Sequence, residues 1–231
     1  MINTLDASSF DYSQTRKDSN LEFILTKCVV VYNTILNSGI NLSNDENLIR
    51  DEFLKYLKDH DFKVENKLKH LAFDKEISEN AGRVDIRILP TKDEYVDESA
   101  YYSIECKRLN STNFSGRTGL NAEYVKNGIC RFSTEYYSSY FGCSAMFGFL
   151  VEPVNVQKDI VNNINSMLNT DFLNAQGQSV NANATQQMQY ENFADGYSYS
   201  YVSKHTHRSG NELTLYHLMF DFSKISNETN L

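Results

Sequence analysis

Apolar residues recur at helical spacing through Leu21, Ile24, Leu25, Cys28, Val29, Tyr32, Ile35 and Leu36, and Asn37-Ser38-Gly39 ends the stripe. A period near 3.6 gathers them on one side of an amphipathic helix that packs outside a core. A second stripe, Leu48, Ile49, Phe53, Leu54 and Leu57, follows Ser43-Asn44-Asp45-Glu46, which has the form of a capping box, so a second helix is predicted from Ser43. The pattern then changes to alternation. In Gly82-Arg83-Val84-Asp85-Ile86-Arg87-Ile88-Leu89, Val84, Ile86 and Ile88 take one strand face and Arg83, Asp85 and Arg87 the other. In Tyr101-Tyr102-Ser103-Ile104-Glu105-Cys106-Lys107 the apolar side carries Tyr102, Ile104 and Cys106, which leaves Ser103, Glu105 and Lys107 opposite. The polar run 91–99 after Pro90 suits a hairpin connection between these strands.

Beyond them, a Ser/Gly/Asn-rich loop over 111–118 precedes a helix expected from about Leu120 to Tyr140, with Val125, Ile129, Phe132 and Tyr136 as its buried stripe. The almost continuous apolar run 144–152 reads as a central or crossover strand covered on both faces. Val156, Ile160, Ile164 and Met167 mark another amphipathic segment. The Asn/Gln/Ala/Ser-rich stretch that begins at Asn174 has no apolar period, and 174–196 is expected to be a surface loop or insertion. Residues 197–222 read as a closing β-hairpin around Ser209-Gly210-Asn211. On it, His205 and His207 share a face near Lys204 and Arg208, an arrangement more often solvated hairpin-end polarity than a metal or phosphate grip.

The two alternating runs carry the chemistry. Adjacent antiparallel strands hold Asp85 next to Glu105, with Lys107 two residues on and on the same face. Hard divalent cations prefer carboxylate oxygens, and Mg²⁺ takes one or two of them plus water and phosphate oxygens. A cation so held activates water and neutralises charge on a phosphoryl group, which is hydrolytic phosphodiester chemistry. Asp61-Phe62-Lys63 and Glu65-Asn66-Lys67 repeat the acid-to-lysine spacing, but in a charged stretch without strand alternation, and read as solvated surface.

Asp85, followed after twenty positions by Glu105-Cys106-Lys107, resembles the motif of the PD-(D/E)XK nuclease superfamily over about residues 43–153, with Val84 standing where the motif's name has proline. The resemblance implies an α/β, restriction-endonuclease-like mixed β-sheet flanked by helices. To it the chain adds an N-terminal helix and a C-terminal hairpin, all within one domain over 21–231 behind a polar segment, 1–20. It implies Mg²⁺, with Mn²⁺ as a substitute, held by Asp85, Glu105 and the Cys106 backbone carbonyl, and Lys107 assisting the attacking water. In such nucleases an acid on the first core helix often reaches the metal. Glu46 resembles it, although as part of the capping box it would only satisfy a backbone amide. The run Tyr124 to Phe132 is similar to a helix flanking the active site in some members, which makes Tyr124 and Arg131 substrate-binding candidates. Arg131 either holds a phosphate or braces the carboxylates; a surface pair with Glu135 at i+4 is its ordinary alternative.

Composition narrows the partners. With 231 residues, 41% hydrophobic and 23% charged, the chain has the make-up of a soluble globular domain, and its polar start and lack of a membrane-length apolar run give a cytoplasmic expectation. Its four cysteines, without metal-finger spacing, read as reduced core thiols. A net charge of −8 excludes a broadly basic nucleic-acid coat, so any DNA contact is a local groove or is shared with a partner. No glycine-rich phosphate loop or serine elbow points to nucleotide hydrolysis or acyl transfer. The expected substrate is DNA, with RNA as an alternative, and double-strand cutting would ask for a homodimer. The competing reading is a catalytically silent nuclease-fold subunit that docks to an ATPase or specificity subunit. Defence, restriction and repair are compatible with either by analogy alone.

Overall fold

The helical stripes are buried on opposite faces of one sheet, and this sets the layering of the chain. The computed structural model describes residues 12–79, 82–91, 100–111, 117–137 and 139–227. Its first half runs α1 (Tyr12–Asn37), β1 (Leu42–Ser43), α2 (Glu46–Lys58), α3 (His60–Glu65), β2 (Leu71–Glu79), β3 (Gly82–Pro90) and β4 (Tyr102–Leu109). A helical segment follows as α4 (Leu120–Tyr124), a π-helical turn at Val125–Ile129 and α5 (Cys130–Ser133), then β5 (Cys143–Leu150), a second π-helical turn at Val156–Val161 and α6 (Asn162–Met167). The chain continues through β6 (Phe172–Leu173), β7 (Ser179–Val180), β8 (Ala184–Tyr190), β9 (Ser200–Thr206), β10 (Glu212–Asp221) and β11 (Ser226–Asn227).

Seven strands form a mixed sheet in the order β2-β3-β4-β5-β10-β9-β8. β2, β3 and β4 are antiparallel neighbours, β5 is parallel to both β4 and β10, and β10, β9 and β8 are antiparallel again. Parallel neighbours need a crossover, which the Leu120–Ser133 segment supplies between β4 and β5. Every residue of β5 is buried, as its unbroken apolar run requires at the centre of a doubly covered sheet. On one face α1 and α2 deliver Leu21, Leu25, Cys28, Ile49, Phe53 and Leu57 against Ile86, Ile104, Phe147 and Phe220. On the other, Tyr124, Val125, Ile129, Phe132, Ile160 and Ile164 meet Val84, Met146 and Met219. All four cysteines are buried free thiols. Among the described residues no helix is long and apolar enough to cross a membrane.

Several expectations are corrected. The second helix starts at Glu46, capped by Asp45, whose carboxylate accepts the amides of Asn47 and Leu48, while Ser43 lies in the bridge β1. The helix expected to reach Tyr140 stops at Ser133, because Thr134 returns its hydroxyl to the Cys130 carbonyl and Glu135 adopts φ 58°. Residues 174–196 are not simply a loop. They include β7 and β8, and β8 is the edge strand of the main sheet, irregular in register and with only Met188 buried, which explains its polar sequence. β2 has no counterpart in the sequence reading. Residues 1–11, the connection at 92–99 and most of the loop at 111–118 lie outside the described residues.

The expectation for two histidines is also corrected: His205 and His207 are buried, not solvated, and His217 is buried as well. His205 Nδ1 lies 2.8 Å from the Ala182 carbonyl, a pure acceptor, so that nitrogen carries the proton. The remaining roles follow from it. Ser203 donates to His205 Nε2, His217 Nε2 donates to Ser203, and Tyr124 donates to His217 Nδ1, at 2.7, 2.7 and 2.8 Å. Each histidine is satisfied as a neutral ring, and the chain of bonds fastens the helical segment to β9 and β10.

Burial lowers the pKa of His205 to about 4 and that of His217 well below its ordinary value. Between the unfolded value near 6.5 and the folded one, only the unfolded chain binds the proton, so this contribution to stability is complete above pH 6.5 and is lost as pH falls. From pH 7.5 to pH 5, His205 alone removes about 2 kcal/mol. Glu105, raised to about 8 by burial, works in the opposite direction. Urea titrations at the two pH values are expected to show that His205→Asn raises the unfolding free energy at pH 5, relative to that at pH 7.5, by about 2 kcal/mol compared with the wild type.

Candidate active site

β3 and β4 part at Asp85. The ladder between them ends at Ile86↔Ile104, and β3 changes sides there, since Ile86 and Ile88 pack toward α2 while Val84 packs toward α5. Continued by one step, the register puts Glu105 opposite Asp85. The backbone amide of Cys106 then donates to Asp85 Oδ2 at 2.8 Å, so a side chain takes the hydrogen bond a strand carbonyl would otherwise accept.

Lys107 occupies the middle of the resulting cluster. Its Nζ lies 2.9 Å from Glu105 Oε1, 3.0 Å from Glu46 Oε1 and 2.7 Å from the Cys106 carbonyl oxygen. Glu46 also accepts the Arg108 amide at 2.9 Å through Oε2, so with Asp45 as the cap its carboxylate is committed to β4 and not to the helix end. Glu46, Asp85, Glu105 and Lys107 are therefore brought together from α2, β3 and β4. Gly128 of the π-helical turn, having no side chain, lets the helical segment close on Met146 and on the Lys107 stem.

Burial dominates the electrostatics. Glu105 is 2% exposed, and desolvation raises its pKa to about 8 against the opposing pull of Lys107 and Arg131. Desolvation works against the Lys107 ammonium, but Glu105, Glu46 and Asp85 outweigh it and its pKa is raised. The ammonium stays charged at neutral pH. Arg131 reaches Glu105 Oε1 at 3.3 Å and the Tyr137 hydroxyl at 2.6 Å, which is the bracing geometry and not a pair with Glu135. Tyr124, a candidate for substrate contact, is instead wholly buried with its hydroxyl on His217, out of reach of a substrate.

Arg50 escapes the sequence reading. Only 1% exposed, it donates to Asp85 Oδ1 at 2.8 Å and also meets Asp51 at 3.0 Å and Glu76 at 3.1 Å. Its one signal is position: it lies four residues after Glu46, next to Ile49, on a stripe where an unpaired arginine is not tolerated.

The donor set fits a hard divalent cation. Glu105 Oε2 is buried without a hydrogen-bond partner, and Asp85, Glu105 and the Cys106 carbonyl offer only oxygens. Among the described residues no group of three or more His, Cys, Asp and Glu side chains is placed to hold a metal ion. Mg²⁺ does not require one, since two carboxylates, a carbonyl and water suffice. Comparison with models of protein families, with curated proteins and with solved structures finds no match.

Removing Arg50 leaves Asp85 beside Asp51 and Glu76 without the buried cation, so Arg50→Met is expected to cost about 3–5 kcal/mol in unfolding free energy. Adding Asp85→Asn should recover more than about 1 kcal/mol of it, a coupling that denaturant unfolding of both single variants and the double variant measures.

Proposed function

We propose that the chain is a metal-dependent nuclease of the restriction-endonuclease-like class that hydrolyses phosphodiester bonds of DNA. The observation that carries this reading is the convergence of Glu46 and Glu105 on Lys107, with Asp85 held beside them on the Cys106 amide and one Glu105 oxygen buried and unpartnered. Supporting it is the order of α2, the β3–β4 pair, the helical crossover and β5, which is the helix, hairpin, helix and strand order this fold calls for.

Asp85, Glu105 and the Cys106 carbonyl would hold the cation, and Glu46 would complete the acidic wall. When bound, Mg²⁺ or Mn²⁺ supplies Lewis acidity toward a phosphoryl oxygen and acidifies water. Arg50 and the Cys106 amide fix the Asp85 carboxylate before substrate arrives. Lys107, kept charged by its carboxylates, orients the attacking water by donating a hydrogen bond to it and does not take its proton. Arg131, a third exposed, lies beside Glu105 where it can bind a phosphate without leaving the helix.

One observation favours the silent-subunit reading: Lys107 bridges Glu46 and Glu105, Arg50 holds Asp85 and Arg131 reaches Glu105, so each acid of the cluster already has a basic partner. A partner such as an ATPase or specificity subunit would then use the fold as a docking platform. Calorimetric titration separates the two, because that reading gives no divalent-ion binding that depends on Asp85. With Mg²⁺ or Mn²⁺, the nuclease reading expects cleavage of supercoiled or linear DNA that Asp85→Asn and Lys107→Ala each slow by about 10²-fold or more. Equal cutting by either variant rejects the assignment, and a parallel assay on RNA identifies the preferred substrate.

A further inference from the structure

A cleft opens beside the carboxylate cluster, between the helical segment and the β6–β7 hairpin. Lys126, Arg131, Tyr136, Asn174 and Gln176 line its inner part, and it continues outward past Tyr136 to Arg208 as a cavity of about 620 Å³. Arg131 belongs both to this lining and to the cluster, through its 3.3 Å contact with Glu105. A polymer seated in the cleft thus leads directly to the proposed site of hydrolysis.

The walls are preformed. Asn174 closes the hairpin turn by accepting the amides of Gln176 and Gln178, with Gly177 at φ 73°. Arg208 is tied to the end of α5 through its amide and the Ser133 carbonyl, at 3.0 Å. Gly82 leaves room for the Tyr136 ring, since any Cβ there would fall 1.9 Å from it; the Arg131 guanidinium lies 5.4 Å from the ring centroid, and the ring borders both parts of the cleft. Lys126, Arg131 and Arg208 share the lining with the acids Glu135 and Asp171; Arg131 is paired with Glu105, which leaves Lys126 and Arg208 as the cations offered to a ligand in a chain of net charge −8.

We propose that this cleft binds an unpaired nucleic-acid strand adjacent to the scissile phosphate, with Tyr136 as a stacking platform, Lys126 and Arg208 on backbone phosphates and Gln176 at base edges. A duplex hides its base faces, so a partly exposed ring set among amide side chains is of use only to a base that has left the stack. Lys126 and Arg208 meet the phosphates that the acidic surface elsewhere repels. The proposal rests on the nuclease reading and specifies its substrate as single-stranded, or as a duplex with a locally unpaired strand.

The test measures anisotropy of a fluorescein-labelled, mixed-sequence single-stranded oligodeoxynucleotide in EDTA, using the full chain. Lys126→Glu/Arg208→Glu is expected to weaken binding about tenfold or more, and Tyr136→Leu, which keeps the packing on Gly82, about tenfold. Lys58→Glu, at the far end of α2, makes one such charge change away from the cleft and should shift binding by about twofold at most. Thermal melts confirm that each variant is folded. Absence of binding by the wild type, a double variant no weaker than Lys58→Glu, or an equally tight matched duplex overturns the proposal. Metal-dependent cutting is read on the same preparations. Cutting with cleft-independent binding sinks the cleft alone, whereas cleft-dependent binding without cutting sinks the hydrolase alone.

Discussion

A carboxylate that water cannot reach constrains the rest of this structure. Glu105 is tolerated inside only because cations are delivered to it, Lys107 from its own strand and Arg131 from α5. Lys107 in turn needs Glu46 from α2, and Asp85 needs Arg50 from the same helix. The helical layers on both faces must therefore be docked before the charges are paired, so the polar centre and the apolar layers form together. A loose version of this fold would leave a buried charge without its partner, which costs more than the pair contributes when intact.

The centre of the site was legible in the sequence because strand alternation is a strict signal. Asp85, Glu105 and Lys107 stand out when apolar neighbours alternate with them, and Glu46 falls on the apolar side of its helix. Arg50 was not legible, because arginine is ordinarily solvated and nothing local says that Asp85, Asp51 and Glu76 will surround it. β8 was missed for a related reason: this edge strand buries Met188 alone and has no alternating apolar face. The end of α5 was hidden by tyrosines that continue the helical spacing past the left-handed turn at Glu135. Tyr124 was assigned because the run Tyr124 to Phe132 resembles a helix that flanks the active site in some nucleases, whereas its distant partner His217 decided its place.

The charge balance of the site explains how both readings arise from one geometry. Acids that each have a basic partner describe either a closed structural knot or a site already set for an added ion and a phosphate. The unpartnered Glu105 oxygen weighs toward the second, since a purely structural network gains nothing from leaving it bare. In that case an acidic chain would meet a nucleic-acid substrate through a few local cations, Lys126 and Arg208 of the cleft, with Arg131 shared between cleft and cluster.

Phe53 projects from α2 between Phe147 and Phe149 of β5 and Phe220 of β10, with ring centroids 5.6, 5.7 and 4.9 Å away. The helix that carries Glu46 and Arg50 is thus seated as much on the last long strand as on the segment resembling a nuclease. The portion that bears the motif is not a detachable module: severed near residue 153, it would lose the surface on which its own acidic helix rests. The C-terminal third serves as a foundation for the reactive centre, though it contributes none of the four clustered side chains to it.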